Sequence, residues 1–248
     1  MVGVIIVTGG GRGIGAAIAR EAGRYGYKVC VNYSQAREKA EALAGELGAA
    51  GSQAIAYQAD VAEEDQVVAM FEEVDRALGP VTAMVNNAGI DYTTHTGDVA
   101  VDGINRVFAV NVTGAFLCAR ESIRRMSTAR GGQGGAIVNI SSVSPKTGGM
   151  PGDVVYTASK GAMDAFTVGL AKEVGNEGIR VCAVRPGITE TEIFDTNVGL
   201  DAVKDMARKT VPLGRIGQPE EIATMTLWLC SDEASYVTGT LFDVSGGR

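Results

Sequence analysis

The chain has 248 residues, of which 46% are hydrophobic and 21% charged, and its formal net charge is −7 at pH 7. That acidity excludes a basic nucleic-acid-binding surface. No apolar stretch reaches the roughly 18–20 residues a membrane-spanning helix needs, and length alone allows one large α/β domain or two small ones.

The chain starts straight into an apolar run, with the first strand expected to begin near Val2, which leaves no room for a signal peptide. Val4 to Val7 is β-branched and reads as a buried parallel strand. It ends in T-G-G-G-R-G-I-G, after which Ile14 to Tyr25 has helical spacing of apolar residues. Strand, glycine turn and helix form the context of a dinucleotide-binding fingerprint, here spaced G-x-x-x-G-x-G. Gly9, Gly13 and Gly15 let the backbone turn tightly and approach a pyrophosphate, which the helix N-terminus stabilises. Glycine is abundant here, 34 of 248 residues, so the turn carries weight through its position after the first strand.

Lys28 to Tyr33 is the second predicted strand. An NAD-preferring fold usually ends this strand with Asp or Glu on the ribose 2′-hydroxyl. Here that position holds Asn32, followed by Tyr33 and Ser34. No carboxylate repels a 2′-phosphate, and Arg12 in the glycine turn supplies a charged donor, so NADP(H) is favoured over NAD(H). Arg37 is a second donor, or a residue of a solvated helix face.

A third run begins near Gln53 and ends before Asp60-Val61; taken alone, Asp60 suits a helix N-cap ahead of Glu63 and Glu64. Thr82 to Asn86 is the fourth strand, closed by Asn87-Ala88-Gly89, which taken alone is a tight turn. Asn111 lies within a long helical pattern, where an asparagine is mildly unfavourable. The acidic run Glu63-Glu64-Asp65 and the pair Arg124-Arg125 read as solvent-facing helix ends. His95, the single histidine, lies in a polar loop and cannot supply a metal cluster, so no metal site is predicted.

The fifth strand starts near Ala136 and leads to S-S-V-S-P-K-T-G-G-M-P-G-D-V-V-Y-T-A-S-K. Tyr156 and Lys160 are four apart, one helical turn from each other on one face. A free phenol ionises near pH ~10. A neighbouring ammonium lowers such a pKa by roughly 1–3 units, toward the range useful for proton transfer. Ser142 offers a hydroxyl to the oxygen Tyr156 would protonate, and Asp153 suits the N-cap of this helix. The sixth strand starts near Ile179 and ends at Pro186-Gly187, where open α/β sheets bind ligands. From Ile188 to Val211, apolar residues (Ile193, Phe194, Val198, Leu200, Met206) alternate with charges and predict a lid, joined by Met150 and Val154. The last strand begins near Thr240, and Trp228 packs in a core or a subunit contact. Cys30, Cys118, Cys182 and Cys230 are widely spaced in apolar contexts, as expected of reduced core thiols in a cytoplasmic protein.

Strands alternate with helices from end to end, with no linker or repeat. This predicts one doubly wound Rossmann domain over 1–248, a seven-stranded parallel sheet with helices on both faces.

T-G-G-G-R-G-I-G, N-N-A-G at Asn86–Gly89, Asn111, Ser142, Y-T-A-S-K and R-P-G at Arg185–Gly187 resemble, in order and spacing, the short-chain dehydrogenase/reductase family. The resemblance covers essentially the whole chain and is greatest to bacterial 3-oxoacyl-[acyl-carrier-protein] reductases and glucose-type sugar dehydrogenases. It implies an oxidoreductase that interconverts a ketone and a secondary alcohol on a small-molecule substrate, with catalytic Asn111, Ser142, Tyr156 and Lys160. Lys160 would bind the nicotinamide ribose and lower the Tyr156 pKa, and Asn111 would hold a water linking Lys160 to solvent. The implied cofactor residues are Gly9, Arg12, Gly13, Ile14, Gly15, Asn32, Tyr33, Ser34, Asp60 and Val61 at the adenine, and Asn87, Ala88, Gly89, Tyr156, Lys160, Pro186, Gly187 and Thr191. A homotetramer through the helices around Asn111 and Tyr156 is also implied.

The chain departs from the carrier-protein reductases at Asn176-Glu177-Gly178, which puts an acid where they tend to show a base, and in the glycine-rich Ser127–Gly135. Arg124, Arg125 and Arg130 are the basic residues available to dock an acidic carrier. A sugar dehydrogenase is the alternative substrate reading, and a non-catalytic NADP(H) sensor the alternative of another class. Enoyl reductases space their Tyr and Lys more widely than Y-x-x-x-K.

Overall fold

The computed structural model describes residues 3–191 and 199–248; Val2 of the first predicted strand and Ile193, Phe194 and Val198 of the predicted lid lie outside them. Seven parallel strands run through it: β1 (Val4–Val7), β2 (Lys28–Tyr33), β3 (Ala54–Gln58), β4 (Ala83–Asn86), β5 (Gly135–Ile140), β6 (Ile179–Pro186) and β7 (Leu241–Val244). Their order in the sheet is β3-β2-β1-β4-β5-β6-β7, as expected of a doubly wound fold. The order of strand addition reverses between β1 and β4, which run parallel in a register that pairs Ile5 with Ala83 and Val7 with Val85. Central strands β1 and β4 are buried along their whole length, which is why they read as continuous apolar runs. The edge strands β3 and β7 are only partly covered.

The helices are α1 (Gly13–Arg24), α2 (Arg37–Ala49), α3 (Glu64–Ala77), α4 (Val101–Phe108), α5 (Gly114–Met126), a short α6 (Ser144–Thr147), α7 (Val154–Val174), α8 (Leu200–Thr210) and α9 (Pro219–Cys230). On one face of the sheet, α3, α5 and α7 bury Val67, Phe71, Cys118, Met163 and Phe166 against Ile6, Met84 and Ile137. On the other, α1, α2 and α9 bury Ile18, Leu43, Ile222 and Leu227 against Ile5, Val7 and Val138. The apolar positions of α3, Val67, Met70, Phe71 and Val74, recur at i, i+3, i+4 and i+7, the stripe that defines a core-facing helix. Burying a side chain the size of Phe71 contributes about 1.5–3 kcal/mol. All four cysteines are buried and free, and Trp228 packs partly buried on the second core.

One local reading changes. Arg125 is not a solvent-facing helix end: its guanidinium lies 5.0 Å from the Phe71 ring centre and pairs with Asp75 and the buried Glu121. Arg124 also spends its charge on Glu121. The part of the predicted lid within the described residues is α8, with Leu200 and Met206 packed on a small separate core of Val203, Ala207, Val211 and Ile216. None of the helices in the described residues is long and apolar enough to cross a membrane.

Candidate active site

A cavity of about 860 Å³ opens at the carboxyl ends of the central strands, around the point where the strand order reverses. Its wall includes every predicted cofactor position, from Gly9 and Arg12 through Asn32, Asp60 and Gly89 to Tyr156, Lys160, Gly187 and Thr191, together with Ser142.

The glycine turn is built by conformation and by close approach. Gly9 and Gly13 take φ of +60° and +51°, in the left-handed region that favours glycine. A Cβ on Gly15 would lie 2.3 Å from the Gly9 carbonyl oxygen and 2.5 Å from Asn87 Nδ2. Arg12 occupies the N-cap of α1 without a side-chain capping bond, and the first turn carries no acid. The free N–H groups and positive end of the helix dipole therefore face the cavity as an anion site. Arg12 itself is exposed and has no ion pair among the described residues.

Thr8, which no sequence signal marks, locks this turn to the strand beside it. Its hydroxyl accepts from the Asn87 and Ala88 amides at 3.0 Å each and donates to the Val85 carbonyl. Asn87 Nδ2 returns the tie to the Thr8 carbonyl at 2.8 Å. Asn32 serves the same scaffold. It is buried, with Oδ1 accepting from the Gly9 amide and Nδ2 donating to the Ala59 carbonyl at 3.0 Å. The strand end is therefore presented to the cavity by Tyr33 and Ser34 rather than by an open Asn32 amide. Arg37 stands 6.0 Å from the Tyr33 ring centre and bonds Glu41 and Gln58, so it is committed outside the cavity wall.

Asp60 is not a helix N-cap; Glu63 holds that position. One Asp60 carboxylate oxygen accepts from the Ala62 amide at 3.0 Å, and the other from Arg106 at 2.7 Å. Arg106, unpredicted from sequence, comes from α4 to line the cavity.

Asn111 lies behind the wall, and its helix is not regular. Residues Ala109–Thr113 form a π-helical turn between α4 and α5. Its side chain accepts from the Ile90 amide at 2.8 Å and donates to the Ile90 carbonyl and to Ser159 Oγ. The side chain thus fastens the loop after β4 to α7. Ser159 is buried and donates in turn to the Tyr156 carbonyl at 2.7 Å. Asp153 stands at the N-cap of α7, but its carboxylate accepts from Thr93 Oγ1 instead of capping the helix.

Ser142, Tyr156 and Lys160 meet in the cavity. Ser142 stands near enough to the Tyr156 phenol to favour its ionised form, and Lys160 Nζ lies 5.6 Å from the Tyr156 ring centre, donating to the Ile140 carbonyl at 2.7 Å. Helical spacing alone would give an acidified phenol; the surroundings give the opposite. Burial pushes Tyr156 up to about 12, opposed by the nearby Ser142 hydroxyl and helped by the negative fields of Asp91 and Asp153. Burial also pushes Lys160 down to about 8. His95 is exposed and accepts from the Gly97 amide.

The architecture has counterparts among known proteins. A family model described as Enoyl-(Acyl carrier protein) reductase matches residues 9–248. An uncharacterized oxidoreductase of Escherichia coli K12, YgfF, is 47% identical over 247 residues, 99% of each chain. A short-chain dehydrogenase/reductase from Serratia marcescens superposes with a TM-score of 0.91 at 33% identity, covering 99% of this chain and 97% of that one. A blue fluorescent protein from a metagenomic library, solved in complex with NADPH, superposes with a TM-score of 0.90 at 36% identity over the same shares.

Proposed function

The chain belongs to the short-chain dehydrogenase/reductase family of oxidoreductases, and we propose that it is an NADP(H)-dependent enzyme interconverting a small-molecule ketone and its secondary alcohol. The observation that carries this reading is that one cavity wall joins a bare helix N-terminus and Arg12 at one end to Ser142, Tyr156 and Lys160 at the other.

The residues suit a dinucleotide. The glycine turn leaves room where a Cβ at Gly15 would fill it, and the α1 N-terminus offers N–H donors to a pyrophosphate. In this reading, Arg12 with Tyr33 and Ser34 receives the 2′-phosphate end, Asp60 and Val61 the adenine, Asn87 to Gly89 and Lys160 the ribose. Pro186, Gly187 and Thr191 take the nicotinamide end. When bound, the dinucleotide supplies the hydride. Tyr156 holds the proton at its phenol oxygen and gives it to the carbonyl oxygen, while Ser142 hydrogen-bonds that oxygen as charge develops. A phenol held up to about 12 is protonated throughout the neutral range, which suits the acid role in ketone reduction. Lys160 adds positive charge beside the ribose and the phenol. Asn111 positions this set through Ser159 and the Ile90 loop.

Docking of an acidic carrier protein has little support, because Arg124 and Arg125 are spent on Glu121 and Asp75, and Glu177 is bonded to Ser127. We therefore read the substrate as a free small ketone in preference to a carrier-borne 3-oxoacyl thioester. The whole of 1–248 acts as one nucleotide-binding domain in this reading. Four buried free thiols suit a cytoplasmic location. Phe116, half exposed and 3.9 Å from Phe166 between ring centres, with Val101 and Val154 also exposed, supports a homotetramer built on α5 and α7.

The test is a titration of NADPH and NADH, followed by loss of nicotinamide absorbance with a panel of ketones, acetoacetyl thioesters and sugars. Tighter NADPH binding with turnover of at least one simple ketone is expected. Failure to bind either dinucleotide would end the proposal, and tight binding with a silent panel would favour the non-catalytic sensor.

A further inference from the structure

Behind Lys160 runs a line of charges that the reaction as proposed does not use. Ser141 Oγ lies 2.7 Å from Asp164 Oδ1 and 3.2 Å from the Lys160 carbonyl oxygen, so it bridges one turn of α7 to the end of β5. Asp164 Oδ2 is 3.4 Å from Arg185 Nη1 on β6. Arg185 Nε continues to Asp243 on β7 at 2.8 Å, and Asp243 to Lys146 on α6 at 2.9 Å. The Asp164 side chain is 13% exposed and Arg185 18%, and the line surfaces at Asp243 and at Lys146, 56% exposed.

We propose that Asp164 is a positioning residue of the site: it pins the Lys160 turn of α7 to β5 through Ser141, and it supplies the negative charge that a buried ammonium at Lys160 requires. Lys160 is 5% exposed, and its single hydrogen bond to protein among the described residues goes to the Ile140 carbonyl. A buried lysine with only a neutral acceptor sheds its proton readily. Asp164, one turn on along the same helix, is the carboxylate whose field opposes that loss. Burial raises Asp164 itself, while the Ser141 hydroxyl and Arg185 stabilise its ionised form. Arg185 in turn shares its charge with Asp243, which leaves Asp164 incompletely neutralised. The site's own acids, Asp91 and Asp153, act on Tyr156 instead.

The inference rests on Lys160 belonging to the site, but its test needs no turnover. Lysine labelled with carbon-13 at Cε is titrated by NMR in the whole chain, with the Lys160 signal identified by its loss in Lys160→Arg. Asp164→Asn keeps an acceptor for Ser141 and removes the charge, so the Lys160 midpoint should fall by at least about half a pH unit. Asp164→Glu should restore it. Arg185→Gln should move the midpoint upward, because it leaves Asp164 less neutralised. A general loosening of the site would move both variants the same way, and that result, or an unmoved midpoint in Asp164→Asn, overturns the assignment. Should Asp164→Asn not fold, Ser141→Ala decides: it removes the hydroxyl that stabilises ionised Asp164, so the Lys160 midpoint should fall, whereas loosening alone would raise it. A silent ketone panel would sink the proposed activity and leave these midpoints readable.

Discussion

The Lys160 ammonium stands 5.6 Å from the centre of the Tyr156 ring, yet its hydrogen bond goes to the Ile140 carbonyl. The pair is adjacent as helical spacing requires, but the lysine faces the strand end and the phenol faces Ser142. Burial then acts on both groups, raising the phenol and lowering the ammonium. In the chain alone, Tyr156 is a held proton donor, and Lys160 is the group that titrates near neutrality.

A pH dependence follows, with a definite sign. Lys160 carries its charge below about 8 and loses it above. Ketone reduction should therefore fall as pH rises through that value, with no matching loss from Tyr156, which titrates near 12. Stability moves the other way for this group. Between about 8 and the ordinary lysine value of 10.5, the unfolded chain binds a proton that the folded chain does not, so this group's contribution to stability rises with pH. Rate profiles and thermal melts over pH 6–10 should diverge accordingly. A rate limb that tracks the melting curve would refute the assignment.

Cofactor choice should rest on Arg12. A hydrogen bond to a charged group is worth about 1.5–3 kcal/mol, so Arg12→Ala should weaken NADPH binding by roughly 10–100-fold. NADH, without the 2′-phosphate, should bind nearly as before. Equal losses for the two dinucleotides, measured by fluorescence titration, would move the 2′-phosphate site elsewhere.

Two glycines make a paired test of the turn. Gly15→Ala would force a Cβ to within 2.3 Å of the Gly9 carbonyl, an overpacking that costs about 1–3 kcal/mol and displaces the turn. NADPH affinity should drop at least tenfold, beyond what the lower melting temperature explains. Gly45→Ala, inside α2 with nothing within 4 Å of its Cβ position, should leave affinity unchanged and add about 0.5–1 kcal/mol of stability. If both variants behaved alike, the close approach at Gly15 would carry no functional weight.

The fold was legible because parallel strands buried on both faces leave apolar runs: strands expected from Lys28 and Ile179 begin there, and the others start within two residues of their expected positions. The cavity positions were legible because the glycine turn and the Tyr–Lys turn are local in sequence. What depended on distant partners was not. Thr8, Arg106, Ser159 and Asp164 acquire their roles from residues 20 or more positions away, or from a neighbour's backbone after folding. Arg125 read as a surface charge because nothing nearby in sequence announces Glu121 as its buried partner across one helical turn, or Phe71 beneath it. Spacing also misjudged Tyr156, since i,i+4 proximity sets distance but burial sets the free energy of the ionised form. The π-helical turn at Asn111 likewise has no compositional signature in F-A-V-N-V-T-G.

Removing one oxygen atom from residue 156 tests the central claim most directly. General acid catalysis contributes about 10²–10⁴-fold, so Tyr156→Phe should lose that much of kcat with a ketone the wild type reduces, while binding NADPH within a few-fold of normal. A variant that binds NADPH equally well and retains most of the wild-type rate would show that the proton comes from another group.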